Sequence, residues 1–236
     1  MNRDLTQGPV TKSMLLFALP MILGNLLQQF YNVADTLIVG QFLGSTALAA
    51  VGSSYTLMTF LTSILLGMCM GSGAVFSIRF GEGDLPRLKN SLSLSFLLIG
   101  GFTVALNVAV FLLIDPMMAL LQVPADVIPL MRSYLWVIFW GIGGTFLYNY
   151  FASLLRAVGN SATPLVFLGV SAVLNIVLDL VFVVAVPWGV AGAAFATSFS
   201  QWVSGVGLLV YTWKRMAHLR PSRQDVYWKK DRVGEI

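Results

Sequence analysis

Charge is what this sequence has least of. Only 10% of its 236 residues are Asp, Glu, Lys or Arg, where a soluble domain carries about 25%. With 57% hydrophobic residues and a mean hydropathy of +0.82, this deficit argues against an ordinary water-soluble fold. Cysteine is nearly absent: the single Cys69 cannot support a disulfide framework and, inside an apolar run, reads as a small packing residue. The single histidine, His218, lies in a basic tail and reads as a solvated or headgroup-contacting side chain. No His, Cys and carboxylate cluster has metal-ligand spacing, no Ser/His/Asp set is evident, and no glycine loop suits a phosphate. The sequence therefore predicts neither enzyme chemistry nor a resident cofactor.

What is there is a series of apolar runs near the roughly 20 residues that cross a bilayer. Six spans are predicted, at residues 14–39, 47–76, 92–114, 134–155, 164–186 and 190–213. Between them lie "GQFLGS", "RFGEGDLPRLKN", "DPMMALLQVPAD", "RAVGNSATP" and "VPWGVAG", whose Gly and Pro suit turns. The fold class is thus an all-α polytopic membrane protein, with six transmembrane helices in residues 1–213 and a basic tail in 214–236.

Lys and Arg give the orientation. Arg3, Lys12, Arg79, Arg87, Lys89, Arg156, Lys214, Arg215, Arg220, Arg223, Lys229, Lys230 and Arg232 fall on one side of the six spans, and only Arg132 on the other. The Lys/Arg bias of short loops marks the cytoplasmic side, so both termini are expected in the cytoplasm and the chain in a cell's inner (plasma) membrane. A short basic tail after a membrane helix reads as a topology signal attracted to anionic lipid, not as a nucleic-acid site.

Two acids lie well inside the spans: Asp35 in "QQFYNVADTLIVG" and Asp179 in "LNIVLDLVFVV". Each costs roughly 2.5–3.5 kcal/mol at a membrane helix centre on insertion scales. No basic residue is predicted inside a span to pair with them. Asp35 lies toward the outer end of the first span and Asp179 near the middle of the fifth or slightly outward, so both can sit at one depth. Asn175 precedes Asp179 by one helical turn and shares its face. The sixth span offers Thr197. The first span adds Asn25, Gln28, Gln29 and Asn32, with Gln28 and Asn32 at helical spacing from Asp35. Two carboxylates, an amide and a hydroxyl form an all-oxygen set that suits a hard cation such as Na⁺. A proton is the other candidate, because two like charges out of water do not both persist. Pro20, in "FALPMILGN", removes a helical hydrogen bond and predicts a kink or hinge. The glycines of "GMCMGSG" and "GIGG" predict close helix packing.

The segments "LPMILGNLLQQFYNVADTLIVGQFLGSTALAAVG", "RFGEGDLPRLKN", "LRAVGNSATPL" and "LNIVLDLVFV" together resemble the N-terminal lobe of a MATE-family multidrug and toxic compound extrusion transporter. The Asn175–Asp179 pair resembles the DinF-like or MepA-like branch. The resemblance covers nearly the whole chain, and its specific parts are the first-helix segment and the fifth-span pair. It implies cation-coupled export of amphipathic, often cationic, drug-like compounds. It also implies that Asp35, Asn175, Asp179 and Thr197 match Na⁺- or H⁺-binding positions. Gln28, with Asn32 beside it, would then face the substrate cavity, and Pro20 would sit at the bend of the first helix. Members of the family carry two six-helix lobes. A second lobe or a copy of this chain in a homodimer is therefore an expected partner, with the chain a truncated or half-length product. Two further readings stand beside this one. A flippase for a lipid-linked precursor would be expected to line its cavity with Arg or Lys to meet a pyrophosphate, and the spans are expected to hold none. A non-transporting membrane remnant or assembly partner is the other, against which the two intramembrane acids argue.

Overall fold

The computed structural model describes residues 10–220. Arg3, Arg223, Lys229, Lys230 and Arg232 lie outside the described residues, so their part in the tail expectation is not addressed. Among the described residues all regular structure is helical. A helix over Val10–Gly81 is broken at Gly44 into α1 (10–43) and α2 (45–81). It is followed by α3 (Leu85–Leu112), a short α4 (Ile114–Leu120), α5 (Ile128–Ala157), α6 (Ala162–Ala185) and α7 (Val190–Arg215). All but α4 are long and apolar enough to cross a membrane, so the six predicted spans are present and the protein is multi-pass.

The boundaries show what hydropathy alone misjudges. The expected loop "GQFLGS" is a one-residue break. Gly44 has φ 86° and ψ −178°, a region open to glycine and strained for residues with a Cβ. The chain folds back there: Tyr31 and Tyr55 interact, although an unbroken helix would hold them about 36 Å apart. Helix α3 begins seven residues before the predicted span. Asp84 caps it, its Oδ1 accepting from the Arg87 N–H at 3.0 Å, with a proline in the first turn. Arg87 and Lys89 had masked this start. The stretch "DPMMALLQVPAD" holds α4, after which Gln122 takes φ 51°.

Two apolar clusters hold the bundle together. One joins Val39, Ala47, Ile114, Met131, Tyr134 and Val190 at one end; the other joins Phe76, Leu88, Tyr150, Leu155 and Leu208 toward the opposite end. Several buried hydroxyls are satisfied within their own helix, as apolar surroundings favour: Ser54, Thr103 and Thr212 each donate to the carbonyl four residues earlier. The backbones of α5 and α7 approach closely. A Cβ on Gly144 would come 2.7 Å from the Trp202 amide nitrogen, and one on Gly205 would come 2.6 Å from the Gly144 carbonyl oxygen. "GIGG" thus permits close packing as expected. In "GMCMGSG" only Gly73 meets a neighbour, Ser153, while Gly67 and Gly71 face open space. Pro20 lies inside helix with no break in the helical dihedrals there; the break falls at Gly44.

Candidate functional site

Helices α1 and α2 face α5, α6 and α7 across a cavity of about 630 Å³. Seven of the polar or hinge residues singled out from sequence line it: Pro20, Asn25, Gln28, Gln29, Asn32, Asp35 and Thr197. Gln28 is exposed, and Asn32 is partly so. Asn32 donates through Nδ2 to Gln29 Oε1 at 3.3 Å.

Asn175 and Asp179 stand buried in α6. Asn175 Nδ2 donates to Thr197 Oγ1 at 3.1 Å, and Ser171 Oγ donates to the Ser200 carbonyl at 2.9 Å. These two bonds tie α6 to α7 and turn the amide and hydroxyl toward each other. Asp179 meets Asp35 of α1 closely enough for one carboxyl to bond the other. Asp35 Oδ1, both Asp179 oxygens and Asn175 Oδ1 are buried without a donor. A buried polar atom left unpaired costs about 1–3 kcal/mol, more if charged. A shared proton would supply one donor, and a small cation would satisfy several of these oxygens together. The residues present therefore fit a proton or a monovalent hard cation. Among the described residues no group of three or more His, Cys, Asp or Glu could hold a metal ion.

The structure thus brings all four predicted cation ligands to one place, and it adds residues that sequence reasoning missed. Tyr134 of α5 lies near both carboxylates, and Tyr31 of α1 lies beside Gln28, Asp35 and Gln201. Tyr31 carried a signal, since it falls three residues after Gln28 and four before Asp35. Tyr134 carried none, because nothing in sequence ties α5 to that depth. A π-helical segment, Leu180–Ala185, begins directly after Asp179, and such irregular turns often accompany functional sites.

One expectation is corrected. Arg156 had been placed in a loop, and the cavity was expected to hold no basic side chain. Arg156 lines the cavity. It occupies the last turn of α5, and helical side chains lean toward the helix N-terminus, which carries this one back along the cavity wall.

The MatE family profile matches residues 20–181. The chain belongs to the MATE family. It is 36% identical over 211 residues to "Probable multidrug resistance protein YpnP" of Bacillus subtilis, covering 89% of this chain and 47% of that protein. It is 29% identical over 210 residues to "Multidrug export protein MepA" of Staphylococcus aureus, covering 88% and 46%. A crystal structure of MATE in complex with MaL6 superposes with a TM-score of 0.90 at 25% identity, over 97% of this chain and 51% of that one. The chain spans about half the length of the curated relatives it matches.

Proposed function

We propose that this chain forms one lobe of a cation-coupled efflux transporter in the plasma membrane, with both termini cytoplasmic. Asp35, Asn175, Asp179 and Thr197 hold the coupling cation, Na⁺ or H⁺. Gln28 and Asn32 meet an amphipathic, often cationic, compound in the cavity, and Pro20 is the hinge of α1. The cavity is completed by a second six-helix lobe or by a copy of this chain. Relatives described as multidrug export proteins support the reading.

The observation that carries it is the facing pair Asp35 and Asp179, whose buried oxygens lack donors. Their burial has no structural return unless a cation or proton comes and goes. The test has two parts. Na⁺ or acidification should raise the Tm of the purified chain, because a ligand that binds the folded state stabilises it; Asp35→Asn and Asp179→Asn should erase that response. In inverted vesicles, the same substitutions should abolish cation-driven ethidium transport while membrane insertion stays normal. Normal transport by both variants rejects the coupling role. The flippase reading gains one cation in the cavity, Arg156, but a pyrophosphate calls for several.

A further inference from the structure

We propose that Arg156 forms a second subsite in the cavity, one that takes the carboxylate or phosphate group of an entering amphiphile. This rests on the efflux-lobe reading and deepens it: it names a class of cargo, zwitterionic or anionic amphiphiles, that the carboxylate pair alone would repel.

The guanidinium is half-buried and lines the cavity, yet no protein group neutralises it from behind. Its Nε is sealed from solvent and has no acceptor. Three described arginines are paired with acids, Arg79 with Glu82, Arg87 with Asp84 and Arg132 with Asp115, and Arg220 donates to the Trp213 carbonyl. Arg156 has no such partner among the described residues. Its near neighbour is the Tyr148 hydroxyl, whose proton goes to the Pro164 carbonyl at 3.2 Å. In the same turn Asn160 is only 2% exposed. Its Oδ1 accepts from the Thr163 N–H at 3.1 Å, while its Nδ2 has no acceptor. Both unpaired donors are sealed in the wall; what this end presents to the cavity is the Arg156 charge with no acid beside it, the reverse of the Asp35–Asp179 end. An arginine that merely reached for headgroups would expose its Nε edge to them; this one holds that edge in the wall and leaves its charge to the cavity.

The two ends do not cancel each other. The Tyr148–Pro164 bond sets the level of Arg156, and Pro164 and Asp179 are about 22 Å apart along α6 at 1.5 Å per residue. That span exceeds the reach of one small amphiphile, so Arg156 acts as a separate subsite. A guanidinium fork pairs with a carboxylate or phosphate through two parallel hydrogen bonds, and such a partner would relieve the uncompensated charge.

The test uses rhodamine B and its ethyl ester, which share one cationic ring system and differ in the free carboxylate. Binding to the purified full chain in maltoside micelles is read by fluorescence polarisation. Rhodamine B is expected to bind roughly tenfold more tightly than the ester, the scale of one charge-assisted pair. Arg156→Gln removes that preference and leaves the ester unchanged. Arg156→Lys, which keeps the charge but not the fork, restores part of it. Equal weakening of both dyes by Arg156→Gln, or no preference for the acid in the unmodified chain, overturns the proposal. Those two comparisons suffice even if the glutamine variant does not fold, because the acid–ester ratio and the lysine variant remain. If the ester binds and the acid binds no better, this proposal fails alone. If neither dye binds, this proposal fails, while the efflux-lobe reading stands or falls on its own test, the Na⁺ or acid shift of Tm. Displacement of rhodamine B by phosphatidylglycerol in the micelles, seen only when Arg156 is present, assigns the subsite to lipid headgroups and also overturns the proposal.

Discussion

Asp179 has no exposed surface, and neither of its carboxylate oxygens meets a donor. A side chain so placed works against the stability of the empty lobe. Replacing it by Asn removes a costly group from an apolar setting and supplies an N–H₂ that can donate to Asp35. Asp179→Asn is therefore expected to raise the Tm of the purified chain by about 2–4 °C, the shift that ~1 kcal/mol produces in a chain of this size. A fall in Tm, read by thermal denaturation in detergent, would mean that the carboxylate already has a partner. Thr197→Val acts in the other direction. It keeps the shape but leaves the Asn175 Nδ2 donor, now bonded at 3.1 Å, without an acceptor. The expected loss is about 1–3 kcal/mol of stability, together with the Na⁺ or acid response of the site. Retention of both would remove Thr197 from the site.

At the scale of helices, two positions depend on having no side chain, for different reasons. Gly144 sits where α5 and α7 touch, and an added Cβ would collide with backbone atoms of α7. Backbone cannot swing aside as a flexible side chain does, so Gly144→Leu should destabilise the bundle by more than the ~1–3 kcal/mol typical of overpacking. Gly67→Ala, at a position with nothing within 4 Å of its Cβ, is the matched control and should be near neutral. Equal behaviour of the two in a detergent denaturation series would contradict the α5–α7 packing. Gly44 also has open space around it, but its φ is 86°. Gly44→Ala should cost roughly 1–3 kcal/mol through backbone strain alone. Any larger loss would show that the reversal between α1 and α2 also relies on close contact.

For the whole molecule, the exposed face of α1 is the telling feature. Gln28, Gln29 and Asn25 are exposed along it, and lipid offers such groups no hydrogen bonds. The chain expressed alone should therefore appear as a dimer in mild detergent, or be degraded rapidly, and should not export ethidium as a monomer. Mass measurement by light scattering, paired with dye efflux from cells, checks this; a stable, dye-exporting monomer would contradict it. Orientation is open to single-cysteine labelling. Cys69 is fully buried and should stay silent to a membrane-impermeant maleimide, which leaves a clean background. A cysteine introduced beside Arg132 should react from outside intact cells and one beside Arg87 only after lysis. The reverse pattern would invert the topology.

The sequence by itself determined the number of spans and the class of fold, and it singled out the residues proposed to form the cation site. Each of those rests on a local signal: apolar length for the spans, and the scarcity of charge that makes Asp35 and Asp179 conspicuous. The one-turn spacing of Asn175 and Asp179 put both on one face before any packing was known. Tertiary structure decided what local signals do not encode. It decided that "GQFLGS" is a break at a single glycine and not a loop, because the reversal depends on one residue's backbone conformation. It decided that α3 starts at Leu85, where the Asp84 capping hydrogen bond outweighs the polarity of Arg87 and Lys89. It brought Tyr134 beside the acids, since the register of α5 against α1 and α6 is set by contacts far apart in sequence. It placed Arg156 in the cavity wall, because the lean of a helical side chain and the level of its neighbours, not its position in a polar turn, determine where a charge ends up.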